Sequence, residues 1–397
     1  MKILHLATDD KFLDHAFPVF EKVFPNANDV IVFAPQKPLR YVKLTPNYIA
    51  TSRSSFFNKK PKLAQENYQN YDLIVFHSLE PSIYPELQSI PSETPTVWLG
   101  WGFDYYSDLL SDIPLFLEKT KALPVSLSGN DIRRRVSSIV KAIIRALRMP
   151  TVKIKAIERI SIFAPVLPSE YDLVAQSRKW KHFPEFVAWN YGTMEDNFVK
   201  GFEGASITGN AILVGNSATF TGNHIEALDL LHQFGVQGRQ IIVPLSYGNK
   251  QYAQKLTEVG NSYFGDNFEP LMDFMPIEEY VASIKKCGYV IMNHVRQQAV
   301  GNIVIMLYLG ARVFVRQENP VYAFFKDMGV SLSTVQELEV NPALLQTPLS
   351  EDERESNRKF VSDYWSRDRA YEHTKKLVEK ALSLAELTKL ESVAGIL

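Results

Sequence analysis

The chain has 397 residues, of which 46% are hydrophobic and 22% charged, with a formal net charge of -1. That length suits two domains better than one large core, and the balanced charge gives nucleic acid no bulk attraction. A single cysteine, Cys287, excludes an internal disulfide framework and suits a reducing compartment.

The N-terminus, MKILHLATDDKF, has too short an apolar run for a signal peptide, and no stretch reaches the roughly 18 apolar residues that cross a bilayer. A soluble or peripheral protein is expected. KILHL (2–6), IVFA (31–34), DLIVFHS (72–78) and TVWLGWG (96–102) are short β-rich runs ending in polar residues. DHAFPVFEKVF supplies a helix between the first two, and ISIFA (160–164) and DLVAQ (172–176) read as the last strands of this half. Alternating strands and helices predict a parallel sheet covered on both faces.

Within this half, DIRRRVSSIVKAIIRALRMP (131–150) places Ile132, Val136, Ile139, Val140, Ile143, Ile144 and Leu147 on one helical face. Arg134, Lys141, Arg145 and Arg148 take the other side. From Asp131 to Arg159 there are nine Lys/Arg against two Asp/Glu. The expected role is docking on an anionic membrane surface. A domain helix with a solvated basic face is the alternative.

A stretch rich in Gly, Asn and Thr, around 185–208, reads as a linker. A second α/β series follows: AILVG (211–215), QIIVPL (240–245), YVIMN (289–293) and RVFVR (312–316) as strands, with NHIEALDLLHQFG, NKQYAQKLTEVG and NIVIMLYLG as helices. The tail from 350 is charged and helical, anchored by Tyr364 and Trp365. The expected organisation is an N-terminal Rossmann-like domain over 1–190, a nucleotide-binding domain over 205–350, and C-terminal helices (351–397) packing back on the first. Two such halves form an α/β architecture with a cleft between them.

Ligands of open α/β sheets sit beyond the carboxyl ends of the strands. In the second half those positions hold Asn216 and Ser217, Ser246 and Tyr247, Arg296, Gln297, Gly301 and Asn302, and Glu318 and Asn319. Hydroxyls, an arginine, a helix start at glycine and a carboxylate together suit a nucleoside diphosphate, with Tyr247 able to stack on a base. In the first half the strand ends hold His5 with Asp9, His77 with Glu80, and Trp101 to Tyr105. Asp104 is the first choice for a proton acceptor, its aromatic flanks raising its pKa and stacking on a sugar. His77 and Asp9 are the other candidates. A capping Asp104 and hydrogen-bonded core histidines are the structural alternatives.

ILVGNS…NHIEAL, IIVPLSYGN and VRQQAVGN…LGARVFVRQENP resemble the bacterial TDP-N-acetylfucosamine:lipid II N-acetylfucosaminyltransferase family of enterobacterial common antigen synthesis. FHS around His77, W-x-x-W-G-x-D-x-Y (Trp98, Trp101, Gly102, Asp104, Tyr106) and FVSDYW agree more thinly, and the likeness is dense only over about 211–329. The resemblance implies a GT-B fold, two Rossmann-like domains facing across a cleft. It implies transfer of 4-acetamido-4,6-dideoxygalactose from a TDP-sugar to a polyprenyl-diphosphate-linked saccharide, at the cytoplasmic face of the bacterial inner membrane. It implies catalysis without metal or cofactor, in keeping with a sequence that contains no D-x-D triplet. Arg296 and the helix start at Gly301 would then neutralise the leaving diphosphate, Glu318 would bind the nucleoside, and Asn216 and Ser217 would line the cleft. A sugar-nucleotide epimerase of the same architecture and a non-catalytic nucleotide-sugar-binding protein are the competing readings.

Overall fold

The computed structural model describes residues 1–34, 38–43, 48–51, 68–81, 83–106, 108–123 and 152–394. The basic segment carrying Arg134, Lys141, Arg145 and Arg148 lies outside them. The chain divides into two compact units, the first built from the described parts of 1–111, 152–193 and 367–394, the second from 112–123 and 194–366.

The first unit is built on a parallel sheet of β1 (Ile3–Thr8), β2 (Asn28–Phe33), β3 (Tyr48–Thr51), β4 (Leu73–His77), β5 (Thr96–Leu99), β6 (Ile162–Ala164) and β7 (Glu185–Phe186), in the order β3-β2-β1-β4-β5-β6-β7. β1, β4 and β5 are buried along their whole length. This is why they read as continuous apolar runs: helices cover both faces of a parallel sheet. Ile3, Val75, Val97 and Leu99 form a core with Leu377, Val378 and Ala381 of the helix Arg367–Ala394.

The second unit repeats the plan with β8 (Ala211–Val214), β9 (Ile241–Pro244), β10 (Phe268–Leu271), β11 (Cys287–Met292), β12 (Arg312–Val315) and β13 (Ser333–Thr334), ordered β10-β9-β8-β11-β12-β13. Cys287 is buried at the start of β11 and its thiol is pushed up to about 12 by burial, so it is packing material.

The strands β3, β7, β10 and β13 are not named in the sequence reading, and three further segments differ from it. DLVAQ is the end of a helix, Pro168–Gln176, and not a strand. Pro168 presets the first turn, and Glu170 Oε2 accepts the Leu167 N–H at 3.0 Å, which starts a helix there. The tail divides: the helix Glu351–Tyr364 packs on Val300–Leu309 in the second unit, and only from Arg367 does the chain belong to the first. Finally, the segment around the helix Glu118–Ala122 belongs to the second unit. There Asn223 Oδ1 accepts the Leu117 N–H at 2.9 Å, and Glu226 accepts from Thr120 N and Oγ1 at 2.8 and 2.6 Å. Lys119 pairs with Asp229. Asn223, Glu226 and Asp229 are spaced by three, so one polar stripe of the helix His224–Phe234 receives the segment.

Candidate functional site

Each sheet reverses direction once, between β1 and β4 and between β8 and β11. A switch point leaves a crevice beyond the strand ends where ligands of doubly wound sheets bind.

In the second unit, Val214 of β8 pairs with Ile291 of β11, so the turns that follow emerge side by side. Gly215 sits at φ 69°, and a Cβ there would lie 2.2 Å from His224 Nε2. Only glycine lets the turn close over this imidazole. Gln298 Nε2 donates to Asn216 Oδ1 at 3.2 Å and Thr219 Oγ1 at 2.9 Å, and Gln298 Oε1 accepts from Thr221 Oγ1 at 2.6 Å. Ser217 Oγ is 3.3 Å from Thr219 Oγ1. Asn293 and Asn223 bond reciprocally through each other's main-chain carbonyls at 2.9 and 3.2 Å. The polar turn after β8 is thus fastened to the loop after β11.

That loop ends with Ala299 at φ 64° and enters the helix Val300–Leu309. Early N–H groups of a helix are unpaired and carry positive partial charge. Gly301 and Asn302 lie in this first turn, half-buried, and Asn302 Oδ1 accepts the Tyr280 hydroxyl at 3.1 Å. Arg296 is half-buried in the same loop, and its Nη1 donates to the Gln297 carbonyl at 2.8 Å. Gln297 is buried. Asn319, buried, caps the helix Pro320–Asp327 by accepting the Val321 N–H and donates to the His294 and Arg296 carbonyls, each bond 2.9 Å. It therefore positions the arginine loop. Glu318 is exposed and holds Arg316 at 2.5 Å and Gln336 at 2.7 Å. Burial opposes its ionisation, but the Arg316 and Gln336 bonds outweigh it and keep the carboxyl below the usual range. Ser246 and Tyr247 are exposed after β9, Tyr247 with 54% of its surface open. The structure thus gathers Asn216, Ser217, Arg296, Gln297, Gly301, Asn302 and Asn319 around one switch point, with Ser246, Tyr247 and Glu318 at neighbouring strand ends.

Sequence reasoning assigned no role to His294. It lies two residues after β11, is fully buried, and neither ring nitrogen has a hydrogen-bond partner among the described residues. Burial, then the neighbouring His224 and Arg296, push its pKa well below 6.5. The available signal was an imidazole two residues past a buried strand.

In the first unit, the three proton-acceptor candidates are each tied into a hydrogen-bond network. Asp9 accepts the N–H groups of Arg40, Tyr41 and Val42 at 2.7, 3.0 and 3.0 Å. Asp104 is 4% exposed and accepts from Leu79 N, Trp98 Nε1 and Trp101 N at 2.9, 2.7 and 2.9 Å. Burial raises its pKa, against these three bonds and the nearby Lys153. His77 is fully buried in a chain of bonds. Asn28 Nδ2 donates to Glu21 Oε2 at 2.8 Å, so Asn28 Oδ1 must accept from His5 Nε2 at 3.1 Å. His5 Nδ1 then accepts from His77 Nε2 at 2.9 Å, and His77 Nδ1 accepts the Tyr191 hydroxyl at 3.3 Å. Both nitrogens of each ring are occupied, and both rings are neutral. In this structure the polar atoms of all three hold loops and strands together.

Residues 162–347 match the model of the 4-alpha-L-fucosyltransferase glycosyl transferase group 56 family. The chain is a glycosyltransferase with the GT-B fold. The matched stretch contains every donor-side residue named above, from Asn216 to Asn319. Among solved structures, HepE from Anabaena in complex with UDP is 12% identical, with a TM-score of 0.61 over 96% of this chain and 100% of that one. A glycosyltransferase from Rickettsia africae is 11% identical, with a TM-score of 0.60 over 96% and 99% of the two chains. An O-GlcNAc transferase from Thermobaculum terrenum is 12% identical, with a TM-score of 0.59 over 98% of this glycosyltransferase and 69% of that chain.

Proposed function

We propose that this glycosyltransferase moves a 4-acetamido-4,6-dideoxygalactose-type sugar from a TDP-sugar to a polyprenyl-diphosphate-linked saccharide. The observation that carries the reading is the β8/β11 switch point inside the group 56 match. A helix N-terminus, Arg296 and a fastened hydroxyl-rich turn lie at that switch point, groups whose chemistry suits a diphosphate. HepE, which shares the fold, binds UDP.

In this reading Arg296 and the N–H groups around Gly301 stabilise the charge that grows on the leaving diphosphate, the task a divalent cation performs elsewhere. Glu318, kept ionised by Arg316, accepts hydrogen bonds from the nucleoside sugar, and Tyr247 offers a face to the base. Asn216 and Ser217 allow the sugar-phosphate close approach to the strand end. No helix among the described residues is long and apolar enough to cross a membrane. Contact with an acceptor anchored in the cytoplasmic leaflet of the inner membrane then falls to the basic amphipathic segment at 131–149.

Calorimetric titration with TDP and UDP tests the donor side. The wild type binds TDP more tightly than UDP. Arg296→Ala weakens TDP binding by roughly 10- to 100-fold, the worth of a hydrogen bond to a charged group. Equal affinity of the variant and the parent would remove Arg296 from the diphosphate site.

A further inference from the structure

Residues 112–123 form a strap on the second unit. Its outer half is held by Glu226 and Asp229, through Thr120 and Lys119, and Leu123 packs against the core. Exchanging such polar bonds for water costs little, so a segment held this way can leave and return without global unfolding. Its inner half reaches Asn223. The Leu117 N–H donates to Asn223 Oδ1 at 2.9 Å, and Asn223 Nδ2 donates to the Leu115 carbonyl at 3.1 Å. A main-chain N–H only donates and a carbonyl only accepts, so these partners fix which way the amide faces. Asn223 is fully buried and left-handed at φ 47°, a region that asparagine enters more readily than most residues.

The same amide reaches the loop after β11. Asn223 Nδ2 also donates to the Asn293 carbonyl at 3.2 Å, and the Asn223 carbonyl accepts Asn293 Nδ2 at 2.9 Å. Asn293 Oδ1 in turn accepts Arg316 Nη1 at 3.2 Å, and Arg316 Nε donates to Glu318 Oε1 at 2.5 Å. An unbroken line of hydrogen bonds therefore runs from the strap through Asn223, Asn293 and Arg316 to Glu318, and every link lies within the second unit. The Arg316 side chain is only 13% exposed, and its planar fork serves both partners at once. Without the strap, the buried Asn223 amide loses the partners that fix its face. The Asn293 carbonyl then loses a fixed donor, and a shift of Asn293 carries Arg316 with it.

We infer that Asn223, Asn293 and Arg316 are positioning residues, which hold Glu318 in the setting that receives the nucleoside when the strap is docked. The inference rests on the donor-binding reading given above. Glu318 Oε2 accepts Gln336 Nε2 at 2.7 Å, so each carboxylate oxygen has one partner and keeps lone pairs for a sugar hydroxyl. Linkage makes the effect reciprocal: a nucleotide that binds more tightly with the strap docked also holds the strap more firmly. Groups that act as one line give substitution effects that do not add.

The test uses the full chain and TDP. Hydrogen exchange over 115–123, read by mass spectrometry, slows about fivefold when TDP saturates the protein, the lower end of coupling between distinct sites. Thr120→Val combined with Lys119→Ala loosens the strap without altering Asn223, and weakens TDP binding about fivefold by calorimetry. Asn223→Asp keeps the acceptor for Leu117 and loses both donations from Nδ2, and in that background the same pair of changes has no further effect. Arg316→Lys keeps the charge and loses the fork, and speeds strap exchange severalfold in protein free of nucleotide. Strap exchange indifferent to TDP, or strap changes that add in full to Asn223→Asp, would overturn the coupling. Parent-like exchange in Arg316→Lys would overturn the line of positioning residues. That measurement needs no ligand, and it decides the matter if Asn223→Asp does not fold. Absence of TDP binding by the parent would instead strike the donor reading.

Discussion

Acidification from pH 7 to pH 5 is expected to lower the stability of this protein by several kcal/mol. His5, His77, His224 and His294 are fully buried, and burial lowers the pKa of each. For His5 and His224 the value falls from 6.5 to about 4. Unfolding releases each imidazole to its ordinary pKa, so between 6.5 and about 4 the unfolded chain binds more protons. Stability from these groups is therefore complete above pH 6.5 and drains away as pH falls towards 4. A shift of this size corresponds to about 2 kcal/mol per histidine between pH 7 and 5. His77 and His294 add to the loss. Asp10 and Asp104, whose pKa values are raised on folding, act in the opposite sense, between the ordinary 3.8 and their raised values. Urea unfolding at the two pH values checks the sum. The expected midpoint falls markedly at pH 5, and a midpoint unchanged across this window would show that the imidazoles are not held neutral.

Asp104→Ala is expected to cost about 3–5 kcal/mol, the scale for uncovering buried donors when a charged partner is removed. Three donors lose their acceptor at once: the Leu79 and Trp101 N–H groups and the Trp98 indole. Leu79 lies just after β4 and Trp101 just after β5, so the loops after both strands loosen together. Asp104→Asn keeps an acceptor oxygen and places an amide against donors, and should fall between. Thermal unfolding of the three proteins ranks parent, Asn and Ala in that order. An Ala variant as stable as the parent would mean that the carboxylate does not organise these loops.

The inner strands of the two sheets were legible because parallel strands buried on both faces become short apolar runs, whereas the outer strands β3, β7, β10 and β13 were not. Gly215 was legible as a turn residue, although its reason, the imidazole of His224 packed beneath it, was not. The loops that meet at the second unit's switch point could be found by strand-end position alone, since one local stretch supplies each. The first-unit candidates could not be sorted that way. Asp9 and Asp10 are adjacent in the chain, yet the N–H groups that Asp9 accepts come from Arg40, Tyr41 and Val42, about thirty residues on. Asp104 likewise draws Leu79 from 25 residues away. Which carboxylate is spent on scaffold and which stays available is a property of the fold. The segment around Glu118–Ala122 shows the same limit: its hydrogen-bond partners, Asn223 and Glu226, lie more than a hundred residues further on.

The central claim is sugar transfer from a nucleoside diphosphate donor to a lipid-linked saccharide. Its most direct measurement incubates the purified protein with TDP-4-acetamido-4,6-dideoxygalactose and vesicles carrying polyprenyl-diphosphate-linked saccharide, then weighs the extracted lipid by mass spectrometry. The expected result is a lipid heavier by one acetamido-dideoxyhexose residue, with stoichiometric TDP released. Lipid of unchanged mass, with the donor left intact or converted to another TDP-sugar, would contradict it.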